Sequence, residues 1–197
     1  TFAVASAFTP ANAQENPLWM RHSAISPDGS TIAFTYKGDI FTVPATGGKA
    51  VQVTTSPNYD SNPIWSPNGK QIVFSSDRYG TDDIFIVDAQ GGTPTRLTTY
   101  AAGAETPIAF LNDSTVLFSA NILPDVNSRQ FPGGTFSQVY TVKTRSNVRP
   151  VMFSSLPMEN ICISKDGKSL LYTDKKGYED QYRKHHTSSI ARDVWQA

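Results

Sequence analysis

Few side chains in this sequence combine the types and the spacing that catalysis or metal binding requires. His185 and His186 form the one cluster that suggests metal ligands. Adjacent residues on a strand point to opposite faces, however, and no cysteine or carboxylate stands at ligand spacing to complete a site. We therefore predict that the chain binds no metal and no cofactor.

The serines and glycines show no catalytic signature either. The sequence lacks the G-x-S-x-G elbow, and the pairs Ser154-Ser155 and Ser188-Ser189 have no neighbours that would mark an activated nucleophile. The glycine pairs at 47–48, 91–92 and 133–134 are not followed by Lys-Ser or Lys-Thr, so they do not indicate a phosphate-binding loop. We predict no catalytic residue within the chain.

Two other features have both a structural and a functional interpretation. Cys162 is the one cysteine, so it cannot form an internal disulfide, and the flanking Ile161 and Ile163 predict that it lies in a core. Residues 178–184 mix aromatic and charged side chains. This mixture favours a solvated loop, and a contact surface is the alternative.

Composition and charge limit the classes of partner. The 197 residues are 39% apolar and 17% charged, which is typical of a globular chain. Lys plus Arg equals Asp plus Glu at 17 each, so no basic field would attract nucleic acid or an anionic membrane. After the first residues, no segment approaches the roughly 18 consecutive apolar residues of a membrane span.

The predicted strands and turns that would position any site form a sequence repeat. A turn signature followed by an apolar strand occurs four times, beginning at Ser26, Ser66, Phe110 and Ser164. Each copy continues to a polar-apolar-aromatic triplet, beginning at Asp39, Asp83, Gln138 and Asp193. Strand-rich repeats with a period of about 40 to 45 residues are typical of the blades of a β-propeller.

The second copy shows the plan of one blade. We predict strands through 63–65, 72–74, 84–87 and 95–98, joined by tight turns at Asn68-Gly69 and Gly91-Gly92. The run 84–87 is continuously apolar, which indicates a strand covered on both faces, as neighbouring blades would cover it. A single blade cannot bury both of its apolar faces, so the sequence needs repeated blades that cover one another.

The predicted fold class is therefore all-β, a β-propeller of four-stranded blades. About four blades are expected, at approximately 17–60, 61–104, 105–157 and 158–197, the last of them truncated. Because propellers have about four to eight blades, we expect an incomplete ring in a fragment of a longer polypeptide. In the alternative, a closed four-bladed ring, the segment around Leu18 to His22 would complete the last blade.

The polar residues of the repeat have structural interpretations. Asp28, Asn68 and Asp166 are predicted to form the hairpin turns. Three aspartates at strand starts are predicted to make repeated structural hydrogen bonds, and these are Asp39, Asp83 and Asp193.

Two connections are longer than the others, at residues 121–136 and 175–192. Both join the second and third strands of a blade, so they should emerge on the same face as the links between blades. Long loops on a rigid scaffold often bind ligands. The alternative is that they are disordered or pack against an adjoining domain.

The N-terminal residues predict export. An apolar stretch from Phe2 to Phe8 precedes Ala11-Asn12-Ala13, which resembles the end of a secretory signal peptide over residues 1–13. A short N-terminal strand or helix is the alternative. Export of a chain with no disulfide option suggests a periplasmic or envelope-associated bacterial protein.

The repeats resemble a known family. SPDGSTIAF, WSPNGKQIVFSSDRYGTDDIFIVDAQGGTPTRLTT and SKDGKSLLYTD are similar to the TolB-type propeller repeat over nearly the whole chain after Asn16. AISPDGSTIAFTYKGDIFTVPATGGKAVQVTT and YRKHHTSSIARDVW resemble tricorn-like proteases. Those are long serine peptidases of the C-terminal-processing-peptidase group, in which a PDZ domain and a catalytic core follow the propellers.

This resemblance implies a non-catalytic propeller that binds or gates unfolded peptide or protein substrates for a downstream catalytic core. The implied partners are the PDZ and protease domains of the same polypeptide, and a homo-oligomer is possible. None of the catalytic motifs of the family falls within the chain, so no catalytic residue is transferred.

Two alternatives remain open on the sequence. One is a periplasmic TolB-like propeller that docks proteins, although TolB proteins place an α/β domain before the propeller. The other is the propeller of a prolyl-oligopeptidase-type enzyme. Open blade faces would make the isolated chain prone to dimerise or aggregate.

Overall fold

A computed structural model describes residues 19–99, 103–120, 137–145, 149–154, 158–164, 167–174 and 194–197. Every regular element among these residues is a β-strand. The first sheet contains β1 (Arg21–Ile25), β2 (Thr31–Tyr36), β3 (Asp39–Pro44) and β4 (Val51–Gln52). The second contains β5 (Asp60–Trp65), β6 (Gln71–Ser76), β7 (Asp83–Asp88) and β8 (Thr95–Arg96). The third contains β9 (Glu105–Asn112), β10 (Thr115–Ala120), β11 (Gln138–Lys143) and β12 (Val151–Ser154). The fourth contains β13 (Met158–Ile163), β14 (Leu170–Asp174) and β15 (Val194–Gln196).

Each sheet is an antiparallel meander in which neighbours in sequence are neighbours in space. The first three sheets have four strands, and the fourth has three within the described residues. The first strands contact one another in order, β1 with β5, β5 with β9 and β9 with β13. The sheets are thus arranged as successive blades, and the expected all-β propeller fold is confirmed.

The same side-chain device forms the hairpin turns. Asp28 Oδ1 accepts a hydrogen bond from the Ser30 amide at 3.0 Å, and Asn68 Oδ1 accepts one from the Lys70 amide at 2.9 Å. These bonds hold the turn before the second strand of each sheet, as predicted for Asp28 and Asn68. Asp166, the third predicted turn residue, lies outside the described residues.

The third copy replaces this turn sequence but keeps the hairpin. Asn112 Oδ1 accepts hydrogen bonds from the amide and the hydroxyl of Ser114, at 3.0 and 2.8 Å. The pairing of β9 with β10 includes two register shifts, at each of which β9 has one residue more than β10 and forms a bulge.

The core lies between the sheets. Val73 and Phe74 are adjacent in β6 and point to opposite interfaces, Phe74 toward the first sheet and Val73 toward the third. The four residues of the run 84–87 are each at most 5% exposed. The prediction that this strand is covered on both faces is confirmed, and the covering elements are the neighbouring blades.

The predicted core position of Cys162 is wrong, because this side chain is exposed. Its neighbours Ile161 and Ile163 pack against the core between the third and fourth sheets. Side chains alternate between faces along a strand, so Cys162 takes the opposite face of β13. Its cross-strand partner, Leu171, is exposed as well, at 46% of its surface.

The alternative in which residues up to His22 complete the last blade also fails for Arg21 and His22. Both belong to β1, which pairs with β2 in the first sheet. Residues 1–18 lie outside the described part of the chain.

The two ends of the sheets form two different surfaces. The turn face contains the turns that join the first to the second strand and the third to the fourth strand of a sheet. The connection face contains the β2–β3 and β6–β7 connections together with the links between sheets. On the connection face, the Asp60 amide donates to the Gly38 carbonyl at 2.7 Å, and the Glu105 amide donates to the Asp82 carbonyl at 2.9 Å. The loops at 121–136 and 175–192 lie outside the described residues.

Hairpin turns of successive sheets touch on the turn face. The Asn68 amide donates to Asp113 Oδ1 at 3.0 Å, across the second and third sheets. A Cβ atom at Gly167 would lie 2.8 Å from the Leu111 carbonyl oxygen, and Gly167 has a φ of +69°. Glycine at position 167 is therefore required both by the backbone angle and by the third sheet.

Candidate functional site

The polar groups of the connection face form two related clusters, one at each interface around the second sheet. In the first cluster, Asp39 begins β3 and accepts hydrogen bonds from the Ser56 amide at 3.0 Å and from Gln52 Nε2 at 2.9 Å. Burial raises the pKa of Asp39, and these hydrogen bonds oppose that rise. The predicted structural hydrogen bonds at this strand start are present.

A buried threonine occupies the same place in both clusters. Thr54 Oγ1 accepts a hydrogen bond from the Ile40 amide at 2.9 Å, and Thr98 Oγ1 accepts one from the Ile84 amide at 2.8 Å. Each threonine is 1% exposed. The hydroxyl thus satisfies a buried amide near the start of the third strand, just beyond the end of the two-residue fourth strand.

An ion pair completes the first cluster. Asp60 begins β5 and is fully buried, and Arg78 Nη2 lies 2.7 Å from its Oδ2. Arg78 Nε also donates to Asp60 Oδ1 at 3.4 Å and to Ser76 Oγ at 3.0 Å. The buried carboxylate is therefore compensated by an arginine of its own sheet.

The second cluster places its charges differently. Arg96 Nη2 lies 2.6 Å from Oδ2 of the fully buried Asp83. Glu105, which begins β9 at the place that Asp60 has in β5, is 1% exposed and accepts a hydrogen bond from the Thr98 hydroxyl. Within the described part of the chain, Oε1 of Glu105 has no hydrogen-bond partner.

This arrangement changes the acidity of two carboxyl groups. Burial raises the pKa of Glu105 to about 7, with a further rise from the charge of Asp83, while the hydrogen bond from Thr98 opposes it. Burial also raises the pKa of Asp83, and Arg96 opposes that rise. Proton exchange near neutral pH is therefore available at Glu105.

Two exposed tyrosines and two partly buried arginines lie beside these clusters. Tyr79 is 66% exposed, its ring lies parallel to that of Phe85 at 6.2 Å, and the Arg96 guanidinium lies 4.3 Å from its ring centroid. Tyr59 is 41% exposed, and its amide donates to Asp77 Oδ1 at 2.7 Å. We call Tyr59, Arg78, Tyr79 and Arg96 the connection-face patch. Tyr and Arg are the residues that most often anchor protein contacts.

The first strands of three sheets share a strained position. His22, Asn62 and Asn160 have positive φ angles of 49°, 52° and 51°, each within a register shift of its strand pair. Histidine and asparagine tolerate this conformation better than most residues. The bulges redirect polar side chains along the strands that contact one another between blades.

The turn face carries a groove of 740 Å³ between the first and second sheets. Its lining is mixed, and its apolar part includes Pro27, Val51 and Trp65. Asp28 and Lys49 contribute charge at its rim. Hydrogen bonds from Ser26 and Ser30 lower the pKa of Asp28 to about 2, so this carboxylate is ionised at any physiological pH.

The structure leaves several sequence-based expectations outside its described residues. These are the histidine pair 185–186, the segment 178–184, Asp193 and the loops at 121–136 and 175–192. Among the residues that are described, no group of three or more His, Cys, Asp or Glu side chains could hold a metal ion. Nor does that part of the chain contain a helix long and apolar enough to cross a membrane.

Sequence reasoning missed Thr54, Thr98 and Glu105. A usable signal was present for the threonines, because each follows the aspartate of its blade at the same distance in the copies starting at Asp39 and Asp83. Glu105 has no such signal. Its equivalent in the preceding blade, Asp60, pairs with Arg78, whereas the arginine near Glu105 is Arg96, which stands at a different place in the repeat.

The sequence matches the family described as the tricorn protease N-terminal beta propeller domain over residues 17–197. The chain belongs to this family. The family resemblance noted in the repeats is confirmed.

Solved structures share the fold at low identity. A protein designated TolB from Agrobacterium tumefaciens is 15% identical, with a TM-score of 0.65 over 90% of this chain and 57% of its own length. The tricorn protease is 12% identical, with a TM-score of 0.57 over 81% of this chain and 19% of its own. A puromycin-hydrolyzing peptidase of Mycobacterium tuberculosis is 13% identical, with a TM-score of 0.56 over 82% and 29%. This chain thus spans less than two thirds of the length of each.

Proposed function

We propose that this chain is the non-catalytic propeller part of an exported tricorn-like serine peptidase, in which it binds or gates peptide substrates for a downstream catalytic core. The observation that carries the proposal is the family match over residues 17–197. Its natural partners are then the PDZ and protease domains of the same polypeptide and an unfolded peptide or protein substrate.

The connection-face patch is the surface that best supports peptide binding. Tyr79 presents most of its area to solvent while Phe85 and Arg96 fix its ring from within the blade. A rigid exposed aromatic ring loses little conformational entropy when a partner covers it. By the topology of the repeat we expect the predicted binding loops on this same face, and we therefore propose that substrate is handled at this end of the blades.

Kinetics of the natural full-length polypeptide test this assignment. We expect Tyr79→Ala to raise KM for an unfolded protein by roughly threefold to tenfold, in line with loss of one aromatic anchor, and to leave hydrolysis of a short peptide unchanged. Lys49→Ala, on the turn face, is the matched control. An unchanged KM for the long substrate would remove the patch from the proposal, and absence of any hydrolysis would remove the peptidase.

A TolB-like docking propeller is the second candidate, and the similarity to the Agrobacterium structure over 90% of this chain favours it. It predicts stable capture of a folded protein by the full-length product with no hydrolysis. A prolyl-oligopeptidase-type enzyme is distinguished by a G-x-S-x-G elbow in the downstream sequence, where the tricorn-like peptidase has a PDZ domain.

Export is part of the proposal and has its own test. The predicted signal peptide at 1–13 implies a periplasmic or envelope-associated mature protein with a new N-terminus near Gln14. N-terminal sequencing of the protein purified from the envelope fraction of the native bacterium should find that residue. Full recovery in the cytosolic fraction with an uncleaved N-terminus would contradict it.

A further inference from the structure

Glu105 joins two blades by contacts at both its backbone and its side chain. Its amide donates to the Asp82 carbonyl at 2.9 Å, and its carbonyl accepts a hydrogen bond from Ser75 Oγ at 2.6 Å. Its carboxyl group accepts the Thr98 hydroxyl. Asp82, Ser75 and Thr98 belong to the second blade or to the link that follows it, whereas Glu105 begins the third.

Among the described residues, one acid and one base act on the charge of the Glu105 carboxyl. Asp83 at the start of β7 repels its negative charge, and Arg96 on β8 attracts it. Arg96 is already engaged with Asp83 at 2.6 Å. Asp82, on the connection that accepts the Glu105 amide, also has a raised pKa, caused by burial and by Asp77 and Asp83.

An ionised Glu105 is therefore poorly matched to its surroundings. The side chain is 1% exposed, and Oε1 has no hydrogen-bond partner among the described residues. A buried carboxylate with an unsatisfied oxygen beside a second carboxylate is unfavourable, and adding a proton removes both the desolvation and the repulsion. The Thr98 hydroxyl can still donate to Oε2 of the neutral acid.

We propose that Glu105 is a proton-dependent clasp that holds the second and third blades together more tightly when its carboxyl group is neutral than when it is ionised. The pKa of about 7 agrees with this geometry. The first interface serves as the built-in comparison, because there the equivalent Asp60 is compensated by Arg78 at 2.7 Å. The inference does not depend on the proposed peptidase function.

The sign of the pH effect follows from linkage. The folded pKa is raised above the ordinary value of 4.5, so the folded state binds more protons than the unfolded state between pH 4.5 and about 7. Stability from this group is complete below pH 4.5 and is lost as the pH rises through about 7. Between pH 5 and pH 8, the unfolding equilibrium constant should rise roughly 70-fold from this group alone.

The test compares wild type with Glu105→Gln, which keeps the shape and cannot ionise. Urea unfolding of the full chain from pH 5 to pH 8 should show the rise in wild type and lose it in Glu105→Gln. Asp28→Asn, another change of a carboxyl group to an amide, is the matched control; because the pKa of Asp28 is about 2, below the range of the experiment, this variant should keep the wild-type profile. Equal pH profiles for wild type and Glu105→Gln would overturn the proposal.

Two measurements keep the proposal testable if Glu105→Gln folds poorly. Carbon-13 NMR of wild type labelled at glutamate carboxyl groups should show one group titrating near pH 7, and titration of all groups near 4.5 would overturn the clasp. Hydrogen exchange of the Glu105 and Ile84 amides should be faster at pH 8 in wild type than in Glu105→Gln. Identical exchange in the two proteins would show that the charge does not loosen the interface.

Discussion

The two interfaces of the second blade solve the same problem with different charges. At each interface, a buried acid begins the first strand of the following blade, as Asp60 or as Glu105. The arginine pairs with that acid at the first interface and with the preceding aspartate, Asp83, at the second. The arginine thus lies beside the first-strand acid at the first interface and beside the third-strand acid at the second, where burial raises the pKa of Glu105 to about 7.

The two interfaces share one hydrogen-bond geometry and differ in the arrangement of their charges. Both interfaces use a buried threonine to satisfy the amide after the β3 or β7 aspartate. That contact belongs to the blade itself. Both ion pairs also join residues of the second blade, and the two junctions differ in which buried acid has the arginine beside it.

The largest expected effect comes from breaking the first ion pair. Arg78→Met leaves the carboxylate of Asp60 fully buried without its cation, and we expect a loss of about 3–5 kcal/mol in the free energy of unfolding. Urea denaturation followed by circular dichroism measures it. Arg145→Met, at an exposed arginine just after β11, is the control and should be nearly neutral.

A second substitution tests the origin of that loss. Asp60→Asn in the Arg78→Met background should recover part of the stability, because it removes the uncompensated charge. A loss below 1 kcal/mol for Arg78→Met, or no recovery in the double variant, would show that the buried Asp60 does not depend on its ion pair.

A smaller effect is expected from the threonines. Thr54→Val and Thr98→Val each remove a hydrogen bond to a buried amide, and each should cost about 1–3 kcal/mol by urea denaturation. Thr42→Val, on the partly exposed surface of β3, is the isosteric control.

The two threonine variants should differ in one respect. In wild type, the hydrogen bond from Thr98 favours the ionised form of Glu105 and so lowers its pKa. Thr98→Val removes this bond and should therefore move the titration of Glu105 above pH 7. An unchanged midpoint in carboxyl NMR would mean that Thr98 stabilises the strand without reaching the acid.

The smallest effect is expected at the turn face of the same pair of sheets. Asp28 and Asn68 form equivalent turns, so Asp28→Asn copies a residue that the chain already uses. The pKa of Asp28 is lowered to about 2, so its contribution is complete above the ordinary value of 3.8 and is lost as the pH falls through about 2. The hydrogen bonds to Asp28 favour its ionised form, so the Tm of wild type should be slightly above that of Asp28→Asn at pH 7, and the two melting curves should coincide below pH 2. Equal Tm values at pH 7 as well would show that the turn geometry, not the charge, matters.

The repeat allowed much of the fold to be predicted. Turn residues, strand order and the double-sided burial of 84–87 follow from a period and from local patterns, which one sequence displays in full. Cys162 was misplaced because flanking apolar residues do not say which face of a strand an intervening residue takes. The clasp could not be predicted, because the acidity of Glu105 depends on where Arg96 pairs in space.

The hydrogen bond of Trp65 to the first blade provides a fluorescence signal for blade separation. Among the groove-lining residues, Trp65 donates from its indole Nε1 to the Ala24 carbonyl at 3.1 Å, which joins the second blade to the first. The other two tryptophans, Trp19 and Trp195, are 73% and 47% exposed. Trp65 should therefore supply the short-wavelength part of the fluorescence spectrum, and its red shift will mark the moment at which the first two blades come apart.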